Sequence, residues 1–250
     1  MSEEFSIVVK NLSKTFKIKH EQPNSIFSYF STLHKQKKSV EELTILKDMS
    51  FSIKKGETVG IIGLNGCGKS TLLKILTRIY HQDSGTVQIN GNVTPFLELG
   101  TGLNGELTAR ENIIIYGIIL GLSKKQMMNK IDEIARFGEI QNFLDTKLKN
   151  FSAGMNARLA FSTAIHVEPD IMLIDEVLSV GDLSFQKKCT DVFLDFKKKN
   201  KTILFVSHSI TQVKSLSDRV LWLHEGAVNE FGDPDLVIEK YRKFVTMMQS

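Results

Sequence analysis

The sequence predicts an α/β fold built around a buried central sheet, on three observations. The continuous apolar runs ETVGIIG (57–63) and DIMLIDE (170–176) suit strands covered on both faces. The alternating runs SIVVK (6–10) and MSFSI (49–53) suit strands with one wet face. Helix starts are written between them: Thr108 with Glu111 and Ser123 with Gln126 fit the capping box, Asp182 precedes LSFQKKCTDVFLDF, and Asp233 with Pro234 opens the last segment. The expected order is a β-rich start, a helical middle from 108 to about 167, and βαβ units after it.

A chain of 250 residues with 42% hydrophobic content can bury one large α/β core, or a core with a helical appendage. No apolar run reaches the roughly 18 to 20 residues of a membrane-spanning helix, and MSEEFSIVVK lacks the basic-then-apolar order of a signal peptide. A cytosolic protein is the expectation. Cys67 and Cys189 match no zinc or CxxC spacing, so reduced thiols are expected. The net charge is +4, and its densest runs, HKQKK (34–38) and KKKNK (197–201), are short. Such runs read as solvated loops and helix ends, and no nucleic-acid partner is expected. The first run leaves an anionic membrane face open.

Residues 19–43 sit badly in a compact domain and read as an insertion. Within it Ile26, Phe27, Phe30 and Leu33 share one helical face after Asn24 or Ser25 as cap. An elaborated surface loop and a face covering another body both fit.

GLNGCGKST, from Gly63 to Thr71, matches G-x-x-x-x-G-K-[ST] and lies between the buried strand and the helix STLLKILTRIY. Gly63, Gly66 and Gly68 let the backbone wrap closely, so consecutive N–H groups and a helix N-terminus face a phosphate. Lys69 would bridge the β and γ oxygens, and the Ser70 hydroxyl would complete a magnesium shell. A P-loop NTPase core is therefore expected, to which the family resemblance given below adds an antiparallel β subdomain and a helical subdomain. Cys67 is read as a small residue that fits the turn.

The acidic strand narrows the chemistry. Asp175 can hold the magnesium shell, while Glu176 can orient and deprotonate a water for in-line attack on the γ-phosphate. TILFVSHS delivers His208 to the carboxyl edge of the sheet, where it can hydrogen-bond the γ-phosphate. The remaining histidines have no such setting. In FSAGM, Ser152 caps a helix and with Gly154 makes a second N-terminus able to grip phosphate. One chain then carries two phosphate grips. If both serve one nucleotide, they come from two copies arranged head to tail, with ATP between them.

This set of motifs resembles the ATP-binding-cassette (ABC) ATPases over residues 5 to about 232. Walker A is Gly63 to Thr71, with Asn65, Cys67 and Thr71 in the nucleotide loop. FSAGM is the signature, IMLIDE is Walker B, SVGD ending in Asp182 is the D-loop, and His208 is the switch histidine. The resemblance places Phe16 as the aromatic that stacks on adenine. It implies residues 1–235 as the ATPase domain, with a helical subdomain at about 96–168 and a short C-terminal helix at 233–250. Two departures stand out. Ala153 and Met155 replace a glycine and the glutamine of the signature, and no glutamine lies between Ile89 and Lys125 where a Q-loop belongs. Glu98 is the candidate substitute and a further metal-site candidate.

With the early insertion and the run from FSAGM to SVGD, the chain looks like the nucleotide-binding subunits of O-antigen, capsule and teichoic acid exporters. That likeness implies ATP and Mg²⁺, a polytopic membrane permease subunit, a second copy of itself, a lipid-linked glycan as cargo, and a place at the cytoplasmic face of the membrane. Sixteen residues follow EFGDP, which leaves no expectation of a C-terminal glycan-binding domain. An importer ATPase is the nearer alternative, and a soluble cassette ATPase acting on ribosomes or DNA is the other.

Overall fold

The computed structural model describes residues 4–19, 40–96, 100–175 and 181–249. Strand β1 (Phe5–Lys19) pairs antiparallel with β2 (Val40–Lys54) and, on its other side, with β4 (Ser84–Ile89), giving a three-stranded sheet. Both long strands run beyond the alternating segments that announce them. Their pairing continues to Lys19 and Val40, so residue 19 and residues 40–43, expected in the insertion, belong to a β-ribbon instead. The polar stretch between the two halves of the ribbon obscures the pattern. Asn11 and Asp48 adopt φ of 51° and 48° there, and side chains satisfy the displaced backbone: the Asn11 amide donates to Ser50 Oγ at 2.9 Å and the Asp48 amide to Ser13 Oγ at 3.0 Å. The expected amphipathic face of Ile26, Phe27, Phe30 and Leu33 lies outside the described residues.

The main sheet has six strands in the order β5, β6, β7, β3, β8, β9. β3 (Thr58–Ile62), β7 (Thr202–Val206) and β6 (Ile171–Asp175) are the apolar runs of the sequence, and β3 and β7 are buried along their whole length. β5 (Val93–Phe96) extends the parallel part beside β6, and β8 (Arg219–His224) lies parallel to β3. Only β9 (Ala227–Gly232) runs antiparallel, on β8. One face of this sheet buries Leu72, Leu73 and Leu76 of α1 (Lys69–Leu76) together with Ile7, Val9, Phe51 and Ile53 of the smaller sheet. The opposite face buries Phe161 and Ala164 of α4 (Ala153–Ile165), Phe185 and Phe193 of α5 (Leu183–Lys198), Val213 of α6 (Ile210–Leu216), and Val237 and Ile238 of α7 (Pro234–Gln249). α7 starts where Asp233 and Pro234 say it should. Asp233 Oδ1 accepts from the amides of Asp235 and Leu236, and Trp222 of β8 receives Tyr241 and Phe244 at ring separations of 5.5 and 5.3 Å.

A separate apolar cluster builds the helical unit. α2 (Ala109–Ile119) and α3 (Lys124–Gly138) pack on the start of α4 through Ile113, Met127, Ile131, Ile134 and Leu159. The two capping boxes form in full: Thr108 with Glu111, and Ser123 with Gln126. Gly117 allows the close crossing of α2 and α3, since a Cβ there would lie 2.2 Å from Met127 Sδ. Among the described residues no helix is long and apolar enough to cross a membrane.

Candidate active site

Strand order decides where the chemistry can sit. β7 lies between β3 and β6, and all three run the same way, so their carboxyl ends share one edge. Gly63 follows the end of β3, Asp175 closes β6, and His208 stands two residues beyond β7. Residues far apart in sequence therefore converge on one edge of the sheet, the place where open α/β sheets bind ligands.

The turn from β3 into α1 needs its glycines. Gly68 is the N-cap at φ 102°, and a Cβ would meet Leu46 Cδ2 at 2.6 Å. At Gly63, φ is 151°, and a Cβ would fall 2.4 Å from the Leu223 carbonyl and 2.7 Å from Cys67 Sγ. A helix capped by Gly68 has no side chain bonding its first amides, which leaves them for an anion. The Lys69 ammonium donates to the carbonyls of Gly63 at 2.8 Å and Leu64 at 3.0 Å, so it is held over the turn rather than in solvent. Ser70 Oγ donates to Asp175 Oδ2 at 3.0 Å. A hydroxyl and a carboxylate in contact beside a phosphate turn are the hard oxygen donors that Mg²⁺ takes, so these residues fit the ion.

Asn65, Gly66, Gly68, Lys69, Ser70, Thr71, Asp175 and His208 line one cleft of about 370 Å³. Ile45 of β2 joins them, a residue that sequence reasoning missed because it is an ordinary apolar strand position there. Gly63 and Cys67 do not line the cleft; they shape the turn behind it. Phe16 is not brought to this lining either. It packs edge-on to Tyr80 at 5.4 Å, half-buried, with the Lys14 ammonium 5.3 Å from its ring centre. Glu98 and Glu176 lie outside the described residues.

Burial pushes the Cys67 thiol up, against the lowering effect of Lys69, and pushes Cys189 up to about 12. Both are packing residues with protonated sulfur. In the folded protein at about pH 8, iodoacetamide is expected to leave both unlabelled, with labelling appearing only in denaturant. Mass spectrometry of the alkylated chain checks this, and fast native labelling of Cys67 would contradict it.

A second cleft, of about 570 Å³, is lined by Ser152, Gly154, Met155, Arg158, Gly181 and Asp182, and shares no residue with the first. Ser152 caps α4 by accepting from the Met155 amide at 3.2 Å, which leaves its own hydroxyl proton able to donate. Asp182 caps α5 through the Phe185 amide at 2.9 Å, and that bond, ahead of the Arg158 charge, holds its carboxyl below the usual range. Arg158 was not singled out by the sequence, and Gly181 entered only as part of SVGD. Their place here follows from packing between elements.

A parallel sheet whose glycine turn opens a helix, with a lysine over the turn and an acidic strand end on the Ser70 hydroxyl, defines a P-loop nucleoside-triphosphatase fold. The chain belongs to the ABC transporter family, whose model matches residues 46–179. It is 41% identical to the teichoic acids export ATP-binding protein TagH of Levilactobacillus brevis, over 98% of this chain and 66% of that protein. It is 43% identical to the O-antigen export system ATP-binding protein RfbB of Myxococcus xanthus, over 86% of this chain and 49% of that one. The chain thus spans about half to two-thirds the length of these curated relatives. A dimeric ATP-binding cassette in a post-hydrolysis state, bound to ADP and Pi, shares the fold at a TM-score of 0.72 and 23% identity, over 91% of this chain and 98% of its own.

Proposed function

We propose that this chain is the ATP-hydrolysing subunit of an ABC exporter that drives a lipid-linked polysaccharide or teichoic acid across the cytoplasmic membrane. The observation that carries the ATPase reading is the 3.0 Å contact of Ser70 with Asp175 beside the Lys69 ammonium, in one open cleft at the sheet edge. Export rather than import is supported by the export proteins the chain is similar to over nearly its whole length.

In this reading the amides of α1 and Lys69 bind the phosphates, and Ser70 and Asp175 would hold Mg²⁺, which would neutralise phosphate charge. Asn65, Gly66, Gly68 and Thr71 wrap the same phosphates, and Gly63 and Cys67 hold the turn. Glu176 takes a proton from the attacking water as the new bond to the γ-phosphorus forms and the bond to the bridging oxygen of ADP breaks. His208 donates to the γ-phosphate. Phe16 stacks on adenine from the β-ribbon, and Glu98 stands in for the missing glutamine. Ser152, Gly154 and Asp182 meet the nucleotide of a second copy, head to tail. ATP does work only through greater affinity for the closed pair than for the open one.

The proposed division has the ATPase domain at 1–235, with the helical subdomain at about 96–168, the insertion, shortened to 20–39 by the β-ribbon, against membrane or permease, and a C-terminal helix at 233–250. The helical subdomain passes the motion to a polytopic permease, and the chain sits at the cytoplasmic face of the membrane. The test is to tag the protein in its native host, solubilise membranes gently, and identify what co-purifies by mass spectrometry. A multi-spanning subunit with a lipid-linked glycan supports export. A substrate-binding lipoprotein would move the function to import, and ribosomal proteins would move it to translation.

A further inference from the structure

The second cleft contains a charge cluster of which the phosphate chemistry above uses only Asp182. Arg158 donates through one guanidinium nitrogen to Glu139 and through the other to Asp182. Glu139 is the C-cap of α3, in the left-handed conformation at φ 59°, and its other carboxylate oxygen accepts from Lys188 of α5. The Arg158 guanidinium also lies over the Phe185 ring, 5.1 Å from its centre. Its side chain is only 17% exposed, whereas those of Glu139 and Asp182 are 45% and 61% exposed. Two positive and two negative groups thus tie together the end of α3, the start of α4 and the start of α5.

Exposed ion pairs of this kind contribute little to stability singly. What an arginine fork clamped between two carboxylates and seated on an aromatic face supplies is orientation, because its donors lie in one plane at fixed angles. Orientation is what a cleft with walls on two different helices needs. Its Ser152 wall is rooted in the helical unit through Phe151 and Leu159, while its Asp182 wall is rooted in the main core through Phe185 and Cys189. Farther along α4, Phe161 meets Phe185 edge-on at 5.8 Å, so core packing sets how the two helices cross, and the Arg158 fork adds a directional tie at the cleft itself.

We propose that Arg158, held from behind by Glu139, is a positioning residue that sets the Ser152–Gly154 helix start and the Gly181–Asp182 turn as one rigid face, in register for the nucleotide of a second copy. This rests on the two-copy reading given above. Glu139 lies behind the cleft and outside its lining, and of its two partners, Arg158 and Lys188, only Arg158 lines the cleft.

The test uses the full chain carrying Glu176→Gln as parent. ATP-dependent self-association is followed by analytical ultracentrifugation, and single-copy nucleotide affinity by a fluorescent ATP analogue at protein concentrations below association. Adding Glu139→Gln is expected to weaken ATP-driven self-association about tenfold, the size of one charge-assisted bond, with single-copy affinity changed less than about twofold. Arg158→Ala is expected to weaken self-association at least as much, and Arg158→Lys, which keeps the charge but not the fork, to fall between. If both Glu139→Gln and Arg158→Ala associate like the parent, or if Glu139→Gln loses single-copy affinity to the same degree, the inference is overturned while the two-copy reading stands. If the parent itself does not self-associate with ATP, the two-copy reading falls and the inference with it.

Discussion

Replacing Lys69 with alanine is expected to lower ATP turnover by about 10²- to 10³-fold, the usual loss when one preorganised donor to a developing negative charge is removed. The ammonium is already in place without nucleotide. It bridges the carbonyls of Gly63 and Leu64 and is almost wholly buried, so little has to rearrange when phosphate arrives. Alanine removes the charge and also leaves those two carbonyls without their donor, so nucleotide affinity should fall along with turnover. Arginine should not rescue, because a longer planar fork cannot sit as a point charge between two carbonyls in this turn. Initial rates over an ATP titration, with equilibrium binding of an ATP analogue, separate the two losses. A Lys69→Ala protein with turnover within about twofold of the parent would place the chemistry away from this cleft.

Glu176→Gln is expected to cost about 10²- to 10⁴-fold in turnover, the range for losing a general base. The substitution keeps size and hydrogen bonding but removes the proton acceptor. Its signature differs from that of Lys69→Ala: nucleotide binding should persist, and ATP should remain intact on the protein because cleavage is what has been slowed. Asp175 stays in place beside Ser70 in this variant, so the two acidic neighbours are tested separately. Quantifying ATP and ADP retained after rapid gel filtration reads this directly. Retained ADP at the parent level would mean that another group accepts the proton.

Much of the site was legible because it is local. The Gly63–Thr71 turn is contiguous, and each cap joins a side chain to an amide within three residues: Thr108 to Glu111, Ser123 to Gln126, Ser152 to Met155, Asp182 to Phe185. A short-range bond leaves a short-range sequence trace. The apolar runs of β3, β6 and β7 were equally plain, since strands buried on both faces have no polar side to confuse the pattern.

The unread parts are the ones made by distant partners. The ribbon of β1 and β2 continues through a polar stretch because Asn11 and Asp48 bond across it, with the Asn11 side-chain amide 2.9 Å from the Asp48 carboxylate, a contact spanning 37 residues. Ile45 lines the P-loop cleft because β2 packs beside α1. The cluster of Glu139, Arg158, Asp182 and Lys188 joins residues up to 49 positions apart, and of the four the sequence singles out only Asp182, as a helix cap and the end of SVGD.

By itself the sequence determined the elements and the residue types for phosphate chemistry, because propensity, capping and a contiguous glycine turn act over a few residues. Only the tertiary structure decided that β7 stands between β3 and β6, which brings Asp175 to Ser70 and places His208 in the same cleft. It alone also separated the two proposed phosphate grips into clefts with no shared residue. Strand order follows from which apolar faces bury one another across the whole chain, and no short segment carries that information.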